Sequence, residues 1–152
     1  MTSLTGKVIA IVGTGSARDR VIAVSLAEVG ADIAIATEEA LPAQEFATAS
    51  IANEVWAIGR EQFSAVLDAS DGAAVAAFLR EVRHRLGRLD AVVSPATVAG
   101  RVPEERSDGV APVARIALVG EGQVAPEGTL PVLVEGMDDA GVAAAVAGLL
   151  LA

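Results

Sequence analysis

The residues best placed to do chemistry sit near the start of the chain, where the apolar, largely β-branched run Lys7 to Val12 ends in Gly13-Thr14-Gly15-Ser16 and a helix-like stretch follows from about Ala17 to Val29. Strand, glycine turn and helix in that order aim backbone N–H groups and the positive end of a helix dipole at one point, which suits a phosphate. Asp19 lies in the first turn of that helix. A carboxylate there stabilises the helix by roughly 0.3 to 1 kcal/mol. It would also repel a phosphate by about 3 kcal/mol per pair of charges at about 5 Å and an effective dielectric near 20. Arg18 and Arg20 flank it and could offset part of that repulsion. The alternative is a structural turn capped by its own aspartate.

Other chemistries lack their parts. The sequence has no tyrosine, no cysteine, one lysine (Lys7) and one histidine (His84). No thiolate metal site or disulfide can form, and one isolated histidine is too little for an imidazole metal site, so no metal is expected. A serine hydrolase needs a histidine base beside a nucleophile on a sharp turn, which Ser16 and distant His84 do not make. No lysine stands in the glycine turn, so a mononucleotide phosphate loop is excluded as well.

The elements that must position these residues alternate between apolar β-rich runs and helix-period stretches. Strands are expected near residues 7 to 13, 31 to 36, 63 to 67 and 90 to 94, with two more at Arg115 to Val119 and Leu130 to Val134. Val75, Leu79, Val82 and Leu86 recur at steps of four, three and four, one face of a helix. Ser70 is a plausible N-cap for it, and His84 falls among the charges on its solvent side. Residues 98 to 112 read as a surface loop and Gly120 to Gly128 as a second one. A closing helix runs from about Asp138 to Leu150. The expectation is an α/β fold: a three-layer, doubly wound parallel sheet of about six strands in one domain spanning residues 1 to 152.

Composition narrows the partners. A chain of 152 residues buries roughly 70% of its unfolded surface. Its apolar share of 53%, with 15 glycines besides, exceeds the roughly 45 to 50% usual for soluble domains with glycine counted. Part of that apolar surface is expected in a subunit interface. Twenty acidic against eleven basic residues give a net charge of −9, which repels nucleic acid and anionic lipid. The start Met-Thr-Ser-Leu-Thr-Gly-Lys lacks a signal peptide's apolar stretch, and the run Gly141 to Ala152, about 12 residues, falls short of the roughly 20 that span a bilayer. A cytoplasmic protein is expected, without membrane or nucleic-acid partners.

Four segments together resemble the short-chain dehydrogenase/reductase family and its Rossmann-type fold: Leu4-Thr-Gly-Lys-Val-Ile-Ala-Ile-Val-Gly13, Leu26-Ala-Glu-Val-Gly30-Ala-Asp-Ile33, Leu67-Asp68-Ala-Ser-Asp71 and Gly87-Arg-Leu-Asp90-Ala-Val-Val93. The resemblance covers most of the first 97 positions and returns weakly in the last helix, which in the family often lies at a subunit contact. It implies that cofactor contacts fall on Gly13, Gly15, Ser16, Arg18, Glu38, Asp68 and Ser94. Glu38 would meet the ribose hydroxyls and disfavour a 2′-phosphate, so any cofactor would be NAD; Asp68 would lie near the adenine.

The departures from the family pattern are as informative. Its three turn glycines fall on Gly13, Ala17 and Asp19, and its Asn-Asn-Ala-Gly segment is replaced by Ser94-Pro95-Ala96-Thr97. Pro95 removes a backbone donor there. The family's serine, tyrosine and lysine have no counterparts: Gly120 and Glu121 follow the strand ending at Val119, and no tyrosine or lysine comes after. The resemblance thus implies no catalytic residues, and a non-catalytic subunit or scaffold domain in a homo-oligomer or in a hetero-oligomer with a related subunit. The alternative is an NAD(P)-dependent oxidoreductase that completes its active site with a partner chain or with Glu121.

Overall fold

The computed structural model describes residues 3–104, 106–107 and 111–152. Six strands form one parallel sheet: β1 (Val8–Gly13), β2 (Asp32–Thr37), β3 (Gln62–Ala65), β4 (Ala91–Pro95), β7 (Ala114–Val119) and β8 (Leu130–Leu133), in the spatial order β3-β2-β1-β4-β7-β8. The order reverses beside β1, so the chain winds outward in both directions and leaves a crevice at the strands' C-terminal ends. The helices are α1 (Ala17–Glu28), α2 (Pro42–Ile58), α3 (Gly72–Leu86), α4 (Ala96–Ala99) and α5 (Asp139–Leu151). Among the described residues the expected doubly wound sheet is present.

The strands read as continuous apolar runs because both of their faces are covered. Every residue of β1 is buried. Ile9, Ile11, Ile33, Ile35, Val93 and Ile116 pack with α1, α2 and α5 on one face, through Ile22, Leu26, Ile51, Val55, Val142 and Val146. Val8, Ala10, Val12, Ala34 and Val92 pack with Val75, Phe78, Leu79 and Val82 of α3 on the other. Register is tight: β1 pairs with β2 from Val8 opposite Asp32 through Gly13 opposite Thr37. The glycine turn and the end of β2 therefore meet at one level.

Several expectations need correction. The sequence reading names no helix between β2 and β3, yet α2 fills that gap, with Pro42 in its first turn and Gly59 closing it at φ +98°; such a backbone conformation favours glycine. The N-cap of α3 is Asp71, whose side chain accepts from the Ala73 N–H. The Ser70 hydroxyl is instead 2.6 Å from Asp68 Oδ1.

The stretch from 98 to 112 is only in part a surface loop. Val98, Ala99 and Val102 are buried, and β5 (Arg106–Ser107) pairs antiparallel with β6 (Ala111–Pro112). Few large apolar side chains mark this segment, and packing under the sheet conceals them. Glu105, Asp108 and Gly109, which the loop reading included, lie outside the described residues.

Candidate functional site

At the C-terminal edge of the sheet a cleft of about 210 Å³ opens between the glycine turn, the end of β4 and the turn after β7, with Gly13, Ser16, Arg18, Asp19, Glu38 and Pro95 among its lining residues. Ser16 caps α1: its side chain accepts from the Asp19 N–H at 3.2 Å. The Asp19 carboxylate reaches back and accepts from the Gly15 N–H at 3.1 Å and the Ser16 N–H at 3.2 Å. This reciprocal arrangement, a capping box, satisfies turn and helix amides that would otherwise lack partners.

Asp19 is only 6% exposed. Burial raises its pKa above the ordinary 3.8, against the opposing pull of its hydrogen bonds to Ser16 and Gly15 and of the Arg18 charge. A side chain on Gly13 would collide with the Asp19 carboxylate, and one on Gly15, at φ +78°, would meet Ala47 of α2. Both glycines are thus required by the protein's own packing.

The two flanking arginines differ. Arg18 lines the cleft, but its Nε lies 3.5 Å from Asp139 Oδ1 on α5. Arg20 donates through Nε to both carboxylate oxygens of Glu54, at 3.0 and 2.8 Å. Arg20 therefore does not turn toward Asp19, contrary to the expectation that it could.

Glu38 follows β2 and is fixed through its backbone: its N–H donates to Gly13 O at 2.8 Å, and its carbonyl accepts from the Ala69 N–H at 2.8 Å. Burial, the neighbouring Glu39 and Asp19 together raise its pKa. The cleft thus carries two carboxylates, Asp19 and Glu38, together with Arg18. Gln44, which the sequence reading missed, accepts from the N–H groups of Glu38 and Glu39 at 3.1 and 2.8 Å. Thr37, which the family count sets at the end of the second strand just ahead of Glu38, is fully buried, and its hydroxyl both donates to Leu67 O and accepts from Leu67 N, each at 2.9 Å. A single polar side chain in a helical run carries no periodic signal, so nothing in one dimension marks Gln44.

Asp68 stands on a second cleft of about 370 Å³ with Glu38, Ser70, Thr97 and Arg101. Its pKa is lowered by hydrogen bonds from the Ser70 hydroxyl and N–H. Ser94 lines neither cleft: it is 1% exposed inside β4, and Pro95 faces the first cleft in its place. Glu121 is exposed in the turn after β7. Gln123 of that turn lines the cleft, and its Oε1 accepts from the Gly120 N–H at 2.8 Å.

The remaining titratable candidates lie away from this edge. Lys7 precedes β1 at the opposite end of the sheet, 3.9 Å from Asp90, and His84 is exposed near the end of α3. Among the described residues no group of three or more His, Asp or Glu side chains could hold a metal, and no helix is long and apolar enough to cross a membrane.

A dinucleotide diphosphate would need the Gly15 and Ser16 amides that Asp19 now occupies. The residues present at this turn do not fit that group unless the carboxylate is displaced.

Residues 7–119, from the residue before β1 to the end of β7, match the family model described as short chain dehydrogenase. The chain belongs to the short chain dehydrogenase family. A 2-dehydro-3-deoxy-D-gluconate 5-dehydrogenase of Pseudoalteromonas atlantica (strain T6c / ATCC BAA-1087) is 35% identical to this family member over 102 residues, covering 66% of this chain and 38% of that protein.

Among solved structures, a short-chain type dehydrogenase/reductase from Mycobacterium marinum superposes with a TM-score of 0.53 at 25% identity, over 60% of this chain and 35% of that one. A 3-ketoacyl-(acyl-carrier-protein) reductase from Brucella melitensis, complexed with NADH, gives a TM-score of 0.51 at 28% identity, over 60% and 34%. This short chain dehydrogenase family member thus spans little more than a third of the length of the relatives it matches. Its β8 and α5 lie beyond the matched segment.

Proposed function

We propose that this short chain dehydrogenase family member works as a non-catalytic subunit or binding domain, its Rossmann-type sheet retained and its hydride chemistry given up. One observation carries the reading: the Asp19 carboxylate accepts from the Gly15 and Ser16 N–H groups, the donors an incoming phosphate would use. Glu38 adds a second carboxylate to the same cleft. A sequence without tyrosine, whose one lysine stands at the far end of β1, supplies no tyrosine–lysine pair for proton transfer. The acidic surface and the absence of cysteine support a cytoplasmic setting. The high apolar share supports membership of a homo- or hetero-oligomer.

A second reading keeps the cofactor. It is supported by the cleft itself and by Glu38 on its lining, a carboxylate able to accept from ribose hydroxyls. On that reading NAD binds, and a partner chain or Glu121 supplies the acid that the reaction needs.

Calorimetric titration with oxidised and reduced nicotinamide dinucleotides separates the two. The first reading expects no submillimolar binding by the protein alone; such binding would sink it. Copurification from the native host then tests whether a catalytically complete relative accompanies the chain.

A further inference from the structure

A parallel sheet ordinarily has helices on both faces, and this one does until its last strand. The connections β1 to β2, β2 to β3 and β3 to β4 carry helices of 12, 17 and 15 residues, whereas β7 to β8 runs from Gly120 to Thr129 without one. The two faces of β8 differ accordingly. Val132 is buried in the cluster shared with Leu118 and Val142.

On the opposite face, the register sets Pro131 beside Ala117 and Leu133 beside Val119. Ala117 and Val119 are closed over by Ala96 and Ala99 of α4. Leu133 is 66% exposed, and Pro131 is exposed beside it. An apolar strip therefore begins where the covering ends.

The strand's free edge is unsuited to adding another strand. Val134 N donates to Val119 O, so residues of even number turn their backbone groups toward β7 and those of odd number turn theirs outward. Pro131, in the outward set, has no N–H to offer. What fits is an element that packs on side chains, as helices do elsewhere on this sheet.

Charge selects the kind of helix. From residue 116 to the end there is no lysine or arginine, while Glu121, Glu127, Glu135, Asp138 and Asp139 all fall there; the three glutamates are exposed. Arg115, the basic residue that precedes this segment, is engaged with Glu104 and Val102 O, and Arg18, which reaches the segment from α1, is paired with Asp139. A second copy docking by two-fold symmetry would set these acids against themselves. We propose that the β8 face bearing Pro131 and Leu133 docks an amphipathic helix of a partner protein, its apolar stripe flanked by lysine and arginine.

The inference rests on the reading of this chain as a subunit that acts through a partner, but its test uses no cofactor. A fluorescently labelled helical peptide of about 18 residues, with a leucine stripe and basic flanks, is titrated into the full chain and followed by anisotropy. Saturable binding is expected, weakened by salt and weakened at least about tenfold by Leu133→Gln and by the pair Glu127→Lys and Glu135→Lys. These positions are exposed, and circular dichroism verifies that each variant folds.

Three results would overturn the proposal: no saturation, equal binding of a peptide with the same charges but glutamine in place of leucine, or binding that ignores Leu133→Gln. A dimer seen by light scattering that dissociates in Leu133→Gln would assign the face to a second copy. Peptide binding by a chain that also oxidises or reduces nicotinamide would sink the non-catalytic reading and leave this one standing.

Discussion

Asp19 accepts a hydrogen bond from the Gly15 N–H at 3.1 Å, so the turn between β1 and α1 is closed by a side chain four residues further on. One oxygen of the carboxylate serves both the Gly15 and the Ser16 amides. Helix stability and anion binding compete for the same donors, and here the helix has them.

Asp19→Gly is expected to open the turn. Removing one repelling charge at about 5 Å relieves ~3 kcal/mol, which corresponds to about a hundredfold in affinity. Titration calorimetry with NADH should show heat for the variant where the parent shows little. If parent and variant bind equally, the carboxylate is not what governs the cleft.

The same residue makes stability depend on pH. Burial raises the pKa of Asp19 above its ordinary 3.8, so the folded state holds the proton more tightly than the unfolded one. Its contribution is fully present below about 3.8 and is lost as pH rises through the raised value. Asp19→Asn, measured by urea unfolding at a series of pH values, should gain on the parent protein as pH rises through that window. Parallel profiles for the two proteins would count against the burial argument.

Thr37 ties the end of β2 to the chain after β3 by two hydrogen bonds to Leu67. Thr37→Val keeps the shape and strands a buried N–H and C=O, at about 1 to 3 kcal/mol. A urea midpoint unchanged from the parent would mean that those groups find other partners.

Core and exposed leucines should behave oppositely. Leu79 is fully buried, and Leu79→Ala is expected to cost about 2 to 5 kcal/mol by removing packed methyl groups and leaving a cavity. Leu133→Ala, at an exposed position, should leave the urea midpoint within about 0.5 kcal/mol of the parent. A large loss at Leu133 would show that the strip is packed within the chain itself.

Trp56, the sole tryptophan, is 69% exposed on α2. Its emission should lie at the solvent-exposed end of the range and be readily quenched by iodide. A blue-shifted, protected signal would place α2 in an interface.

Much of the architecture was legible in one dimension because its causes are local. Alternation of β-branched runs with helical periods, and a glycine turn between the first pair, follow from backbone sterics and side-chain periodicity. Val75, Leu79, Val82 and Leu86 announce α3 in that way. Helix α2 was not legible, since small alanines and exposed Phe46 and Trp56 blur its apolar face. Val98 and Val102 were hidden for the opposite reason: too few apolar residues surround them in sequence, although the sheet buries them.

The sequence by itself determined the six strands of the parallel sheet, its doubly wound class and the want of a tyrosine–lysine pair, all consequences of residue type and near-neighbour spacing. Only the tertiary structure decided that Asp19 turns back onto Gly15 and Ser16, that Arg18 is drawn to Asp139 on α5, and that Pro95 rather than Ser94 faces the cleft. It decided too that Leu133 stands uncovered. Each depends on where a side chain finds its partner once distant segments are brought together, and hydrogen bonds, ion pairs and burial are settled by distance in space.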